Sequence, residues 1–251
     1  MGVRLLSKLS QLKQKAYQAG KNRNWGEAIH CYEQILEIEK NNPTVVNELG
    51  DLCLKAGEVP RAIKNFLTAA SRYRKTGLLN NSVAIYKKIL RHDDSNLSAH
   101  WYLAETRAGQ GLTVEGQDHA VKFLTGGDAM AGDLAEIFLK RCTKLFELYP
   151  SSPVILERLV GIFRSRDMAL EAARAQTLQA CCVFEDGGQD TAKEQIEKIV
   201  GAVPEVRNYP EFGRWSQLLD PNAGQANQEA DFNTVSFDEP EVASAADESA
   251  E

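Results

Sequence analysis

Few residues in this chain have side chains suited to cutting, transferring or ligating. There are four histidines (His30, His92, His100, His119) and five cysteines (Cys31, Cys53, Cys142, Cys181, Cys182). Histidine titrates nearest neutral pH and the cysteine thiolate is a ready nucleophile, so these residues would seed acid–base, nucleophilic or metal chemistry. Their spacing supports none of these. His92-Asp93-Asp94 is a local cluster, but it falls at the end of an expected helix, where an imidazolium meets the negative end of the helix dipole. His100 and His119 belong to separate expected helices, with no partner at ligand spacing. The cysteines are odd in number and form no metal-ligand pattern. Four of the five sit among apolar helical neighbours, where a free thiol acts as a small hydrophobe. Cys181 and Cys182 would point about 100° apart on a helix, which makes a poor chelate and a strained disulfide.

Catalytic and nucleotide-binding motifs are absent: there is no P-loop, no G-x-S-x-G, no H-E-x-x-H and no Cys-x-x-Cys. Gly20, alone between Tyr17 and Lys21, cradles no phosphate. The expectation is a chain that catalyses nothing and holds neither metal nor cofactor.

Any function must then rest on the elements themselves. The apolar share of 43% and charged share of 25% are those of an ordinary globular protein able to build a core. No apolar run approaches the roughly 18–20 residues that cross a bilayer. Leu5, Leu6, Leu9 and Leu12, interspersed with Arg4 and Lys8, read as the start of an amphipathic helix rather than a secretory leader. Leu6 stands where an N-myristoylation signal takes Ser or Thr. A cytoplasmic protein without membrane insertion is expected.

Self-similarity organises the chain. From Pro43 it reads Val46, Leu49-Gly50, Cys53, Gly57, Ala62, Phe66 and Ala69. From Leu97 it reads His100, Leu103-Ala104, Arg107, Gly111, Gly116, Ala120 and Phe123. Earlier, Leu12, Ala16 and Ala19 lead to Arg23, Ala28, Tyr32 and Ile35; Ala28 precedes Ala62 by 34 residues, as Tyr32 precedes Phe66. A second register begins 20 residues after the first, Gly57 to Gly77, so the helix from about Arg61 to Lys75 closes one repeat and opens the next. Across the whole chain the halves match without a gap at an offset of 110: Pro43 with Pro153, Leu49 with Leu159, Ala62 with Ala172, Gly77 with Gly187, Ile89 with Ile199. A duplicated unit of about six helices, preceded by one hairpin, follows.

This pattern resembles the tetratricopeptide repeat, W-x₂-L-G-x₂-Y, then A-x₃-F, then P, with a period of 34. Two departures stand out. Arg23 occupies a place where glycine is usual, and Asp94 one where the repeat tends to end in proline. The resemblance implies an all-α fold, a right-handed superhelical solenoid of antiparallel hairpins with about 11–12 helices. Residues 1–124 would carry the N-terminal repeats and 125–132 a glycine-rich loop. Residues 133–220 would carry degenerate repeats closed by a capping helix near Trp215, and 221–251 an acidic tail too poor in apolar residues to fold. That tail holds Glu229, Asp231, Asp238, Glu239, Glu241, Asp247, Glu248 and Glu251 and no Lys or Arg, leaving the first 220 residues near +2 of the total −6. A nearly neutral body lacks the basic stripe of nucleic-acid binders.

The resemblance further implies that the first helix of each hairpin lines a peptide groove. Candidate groove residues are Asn47, Asp51 and Lys55 in one repeat, Trp101 and Glu105 in another, and Arg74 if the shared helix faces inward. The carboxylate clamp of related co-chaperones is missing. Lys13 and Lys64 match, but Tyr17, Glu48 and Thr68 stand at its other places, and Glu48 would repel an acidic ligand. In the tail, Phe232, Val235 and Phe237 lie among acids as a candidate docking motif. The function expected is a scaffold or adaptor for protein or peptide partners; the alternative is an assembly chaperone that holds a client segment transiently.

Overall fold

In the computed structural model, residues 2–220 are described, with side chains from residue 5 onward. Among them are twelve α-helices: α1 (Gly2–Lys21), α2 (Trp25–Ile38), α3 (Pro43–Lys55), α4 (Val59–Lys75), α5 (Leu79–Leu90), α6 (Leu97–Gly109), α7 (Thr113–Gly127), α8 (Asp133–Leu148), α9 (Pro153–Arg164), α10 (Ala169–Glu185), α11 (Gln189–Ala202) and α12 (Pro210–Leu219). A 3₁₀ turn, Pro204–Asn208, joins the last two, and no strand occurs among the described residues. The chain divides into two compact units near the start of α6, one up to Ala99 and one from His100.

The turns show why the repeat columns carry the residues they do. Six helices end with a residue of positive φ: Arg23, Gly57, Gly77, Gly111, Asp167 and Gly187. In each case the next N–H donates to the carbonyl five residues back: Asn24 to Ala19, Glu58 to Cys53, Leu78 to Tyr73, Leu112 to Arg107, Met168 to Phe163 and Gly188 to Val183. That is the Schellman arrangement, which consumes carbonyls the helix end would leave orphaned. Glycine suits the left-handed residue because it has no Cβ to clash. Arg23 and Asp167 take the same conformation, both at φ 56°. Replacing Arg23 with Gly should therefore stabilise the protein by about 0.5–1 kcal/mol and raise Tm by a few degrees. Asp167→Gly should gain less, since Asp tolerates this region better. Thermal unfolding decides it; a lower Tm for Arg23→Gly would contradict the shared turn.

The duplication is visible in the elements. Shifted by 110 residues, α3 falls on α9, α4 on α10 and α5 on α11, and both α4 and α10 run 17 residues. Asn42 and Ser152 hold equivalent places before the helix-opening prolines Pro43 and Pro153.

In the first unit, successive helices pair antiparallel, and helices two apart also touch. Arg61 of α4 pairs with Glu33 of α2, and Lys88 of α5 pairs with Asp51 of α3 at 2.5 Å. Leu12, Ile35 and Val45 share one apolar cluster, so α1, α2 and α3 meet there. The layers therefore alternate, with α1, α3 and α5 in one and α2 and α4 in the other. The 20-residue register shift leaves that alternation unbroken. Small residues allow the approach: a Cβ on Gly50 would lie 2.5 Å from Cε1 of the fully buried Phe66.

The second unit alternates in the same way. Tyr149, at the end of α8, donates its hydroxyl to the Ala104 carbonyl of α6 at 2.7 Å, and Gly116 of α7 leaves room for it. An aromatic run crosses the helices, Trp101 to Phe123 to Phe138, with ring centroids 5.2 Å apart at each step. The glycine-rich stretch at 125–132 is helical as far as Gly127, which lies against the Phe138 ring with no room for a Cβ. The break between helices is confined to Asp128–Gly132. At the far end α12 lies on α10, with Trp215 buried and edge-on to Phe184. Arg174 grips Glu211 through two hydrogen bonds of 3.1 and 2.9 Å, its guanidinium over the rings of Tyr209 and Phe146.

Candidate protein-interaction surface

Three of the groove candidates share a stripe. Asn47, Asp51 and Lys55 occupy successive turns of α3, at the i, i+4 spacing that puts side chains on one helix face. Lys88 crosses from α5 to join them. Its Nζ donates to Asn47 Oδ1 at 3.2 Å, pairs with Asp51, and stands 4.4 Å from the centroid of the Phe66 ring. One ammonium thereby ties two helices of a layer and covers the aromatic core beneath. Lys55 is exposed and reaches over Trp25 at the start of α2, 5.5 Å from its ring centroid. On α1 the same layer presents Tyr17, 61% exposed, with Lys21 over its ring at 5.1 Å. The surface thus sets ammonium groups beside aromatic faces. Glu48 takes a hydrogen bond from the Tyr32 hydroxyl, whose pKa is pushed up to about 12 by burial and by that carboxylate.

The other three candidates lie elsewhere. Arg74 is buried in the last turn of α4, in the opposite layer from α3. Trp101 is fully buried against Phe123, with Arg141 5.4 Å from its ring centroid. Glu105 is fully buried and pairs with Lys144 of α8 at 2.9 Å. None of the three presents its side chain to a partner in this conformation. Phe232, Val235 and Phe237 lie outside the described residues.

Sequence reasoning passed over two features. Tyr17 entered it only as a clamp mismatch and Trp25 not at all, yet with Lys21 and Lys55 they bring the aromatic groups to this surface. His100 and His119, read as having no partner at ligand spacing, meet Nδ1 to Nδ1 at 2.9 Å across α6 and α7, so one ring donates and the other accepts. Their separation of 19 residues gives no local signal; antiparallel pairing brings them together.

Two hollows accompany the helices. One of about 390 Å³ between α2, α3 and α4 has Leu36 and Leu49 in its lining and Glu33 and Arg61 paired at its rim. The other, about 510 Å³, lies in the second unit among Pro153, Gln179, Val183, Gln195, Lys198 and Ile199. Among the described residues no three His, Cys, Asp or Glu side chains gather closely enough to hold a metal ion. No described helix is long and apolar enough to cross a membrane.

The cysteines are all buried and unpaired. Burial raises every thiol pKa, that of Cys181 to about 11. At pH 8 the thiolate fraction of Cys181 is then about two orders of magnitude below that of a free cysteine. A disulfide reagent should label Cys181 in the native chain at least that much more slowly than in the denatured one, and its reactivity should keep climbing toward pH 11. The same shift links to stability. Because the folded form keeps its protons longer, this contribution is full below about pH 8.5 and is lost as pH rises toward the folded pKa. Rapid labelling of native Cys181 at pH 8 would contradict its burial.

No family model matches the chain. No curated protein matches it significantly. Among solved structures it is similar to a tetratricopeptide repeat protein from Parabacteroides merdae, 12% identical over 85% of this chain and 98% of that one, with a TM-score of 0.27. It is also similar to the TPR domain of P58(IPK), 13% identical over 81% and 67% of the two chains, with a TM-score of 0.24. Overlap this low says nothing about which surface binds, or what. The hairpins are tetratricopeptide-like. That description rests on the chain's own turns, column spacing and small-against-large contacts.

Proposed function

We propose that this chain is a non-enzymatic scaffold that binds protein or peptide partners on the α1–α3 surface of its first unit. The observation carrying this reading is the set of exposed Tyr17, Lys21 and Lys55 on α1 and α3, with half-buried Trp25 at the start of α2 beneath Lys55, aromatic and cationic groups that the packing of the layer does not claim. Aromatic side chains give large contact area at small entropic cost, and lysines beside them select acidic sequences. Asn47 and Asp51, tied by Lys88, supply fixed hydrogen-bonding groups next to these side chains. Helical-repeat architectures in general use such extended layers for binding.

The test is affinity purification of the full chain from its source cells, followed by measured affinities of purified partners for two variants. Tyr17→Ala and Lys55→Glu should each weaken a direct partner about tenfold or more while leaving Tm within about a degree. Partners that bind both variants as tightly as the parent chain would overturn the assignment of this surface. A transient client, the chaperone alternative, would show the same variant sensitivity with rapid dissociation.

A further inference from the structure

The two copies of the duplicated unit differ in kind at one place. In the first, the chain's own side chains fill the space over α4 between α3 and α5. Phe66 is fully buried beneath Lys88, which reaches from α5 to Asn47 and Asp51 of α3. Tyr73, two turns further along α4, shares a hydrogen bond of 2.9 Å with Thr44 at the start of α3. The second copy lacks that filling. At an offset of 110, Gln176 and Val183 stand for Phe66 and Tyr73, Gly161 for Asp51, and Val154 for Thr44. Lys198, the counterpart of Lys88, pairs instead with Glu194 of its own helix, both side chains exposed. The hollow of about 510 Å³ opens here, with Gln176, Val183 and Lys198 in its lining. Gln179 and Gln195 line it too, where the first copy has the buried Ala69 and Ile85. Three buried apolar positions have each become glutamine around one opening of ligand-site size.

Charge changes along with shape. The last turn of α4 carries Arg72, Arg74 and Lys75, which meet the negative end of the helix. The last turn of α10 has no base: Cys182, Phe184 and Glu185 stand at those places, and Asp186 caps the helix where Thr76 caps α4. Glu185 is engaged by Arg214 of α12 at 2.7 Å, whereas the exposed Asp186 lines the hollow. We infer that this hollow, between α9 and α11 over α10, is a second binding site, for a partner peptide that carries an aromatic residue beside an arginine or lysine. The first copy is the template for that ligand. It places two rings at the equivalent positions and ends the equivalent helix with cations, and the second copy omits both. The incoming ring lies on Val183 and Ile199, and its neighbouring base meets Asp186 and the negative end of α10. Gln176, Gln179 and Gln195 present amides to the peptide backbone. The site lies wholly within the second unit and does not depend on the α1–α3 surface.

Selection of a random displayed peptide library on the full chain tests this, with counter-selection on Gln176→Phe/Val183→Tyr, which restores the filling of the first copy. Sequences that pair Phe, Tyr or Trp with Arg or Lys should be enriched on the parent chain. In fluorescence polarisation, a labelled peptide of that kind should bind Gln176→Phe/Val183→Tyr and Asp186→Lys at least about tenfold more weakly than the parent chain. Asp186 is exposed at a helix end, so Asp186→Lys reads the charge without disturbing the core. Exchanging each base of the peptide for glutamate should weaken its binding to the parent chain and strengthen its binding to Asp186→Lys. The inference is overturned by a selection that enriches nothing, or that enriches sequences without an aromatic residue or without a base. Equal affinity of the labelled peptide for the parent chain and Gln176→Phe/Val183→Tyr, or for the parent chain and Asp186→Lys, overturns it as well. The partner affinities of Tyr17→Ala and Lys55→Glu judge the α1–α3 surface separately.

Discussion

Gly50→Val should cost about 3 kcal/mol of stability or more, and Gly50→Ala about 1–3 kcal/mol, even though both replacements raise helix propensity. A Cβ at residue 50 falls 2.5 Å from Cε1 and 2.7 Å from Cδ1 of Phe66. Phe66 is fully buried and lies beneath Lys88, so its ring has nowhere to retreat. The control is Gly161→Ala in α9, where nothing lies within 4 Å; there the propensity gain of roughly 1 kcal/mol should appear as stabilisation. Opposite signs at two helical glycines isolate the contact from the backbone effect. Shrinking the ring should also relieve the strain. Gly50→Ala/Phe66→Leu should be more stable than the sum of its single variants allows, with a coupling of about 1 kcal/mol or more. Additive behaviour in chemical denaturation would show that the nesting of residue 50 against residue 66 does not hold the hairpin.

Removing Glu211 is the other substitution with a large expected effect. Glu211 is buried and receives two hydrogen bonds from Arg174, whose guanidinium lies against the Phe146 and Tyr209 rings and whose side chain is only 17% exposed. Taking away one member of a buried ion pair strands the other charge, at a cost of about 3–5 kcal/mol in well-enclosed cases. Glu211→Ala should fall at the lower end of that range, because Arg174 keeps some access to water. The damage should be local. Amides of residues 204–219 should lose protection, and Trp215, released from Phe184 and the buried face of α10, should shift its fluorescence to longer wavelength. Glu211→Gln, which keeps the shape and one acceptor, should lose less. Unchanged protection of α12 in Glu211→Ala would mean that apolar contact alone fastens the last helix.

These two sites also mark how far the sequence could be read. Gly50 and Phe66 fell in repeat columns, so their contact was legible from composition and spacing. The turn at Arg23 was legible in the same way, since that residue stands where glycine is usual. The link between Arg174 and Glu211 was not legible, because charged residues 37 positions apart carry no local sign that a capping helix will join them. For the same reason the burial of Glu105 against Lys144 went unforeseen, and spacing alone did not decide between a binding role for Trp101 and its packing against Phe123. A helix face is amphipathic in one dimension, whereas which of two layers it joins depends on neighbours it meets only in the fold. The surface candidates divide along that line. Asn47, Asp51 and Lys55 were placed by periodicity on a helix whose layer alternates simply. Arg74 belonged to the shared helix, and its layer could be known only once α4 was seen to lie with α2.

The central functional claim is that partners meet the layer formed by α1 and α3. Photo-cross-linking inside the source cells tests it most directly, with a photoreactive phenylalanine placed in turn at Tyr17, Lys55, Lys64 and Lys140, all exposed. Discrete adducts of defined mass should form from the first two positions and not from the other two. Adducts from Lys64 or Lys140, with none from Tyr17 and Lys55, would contradict the account.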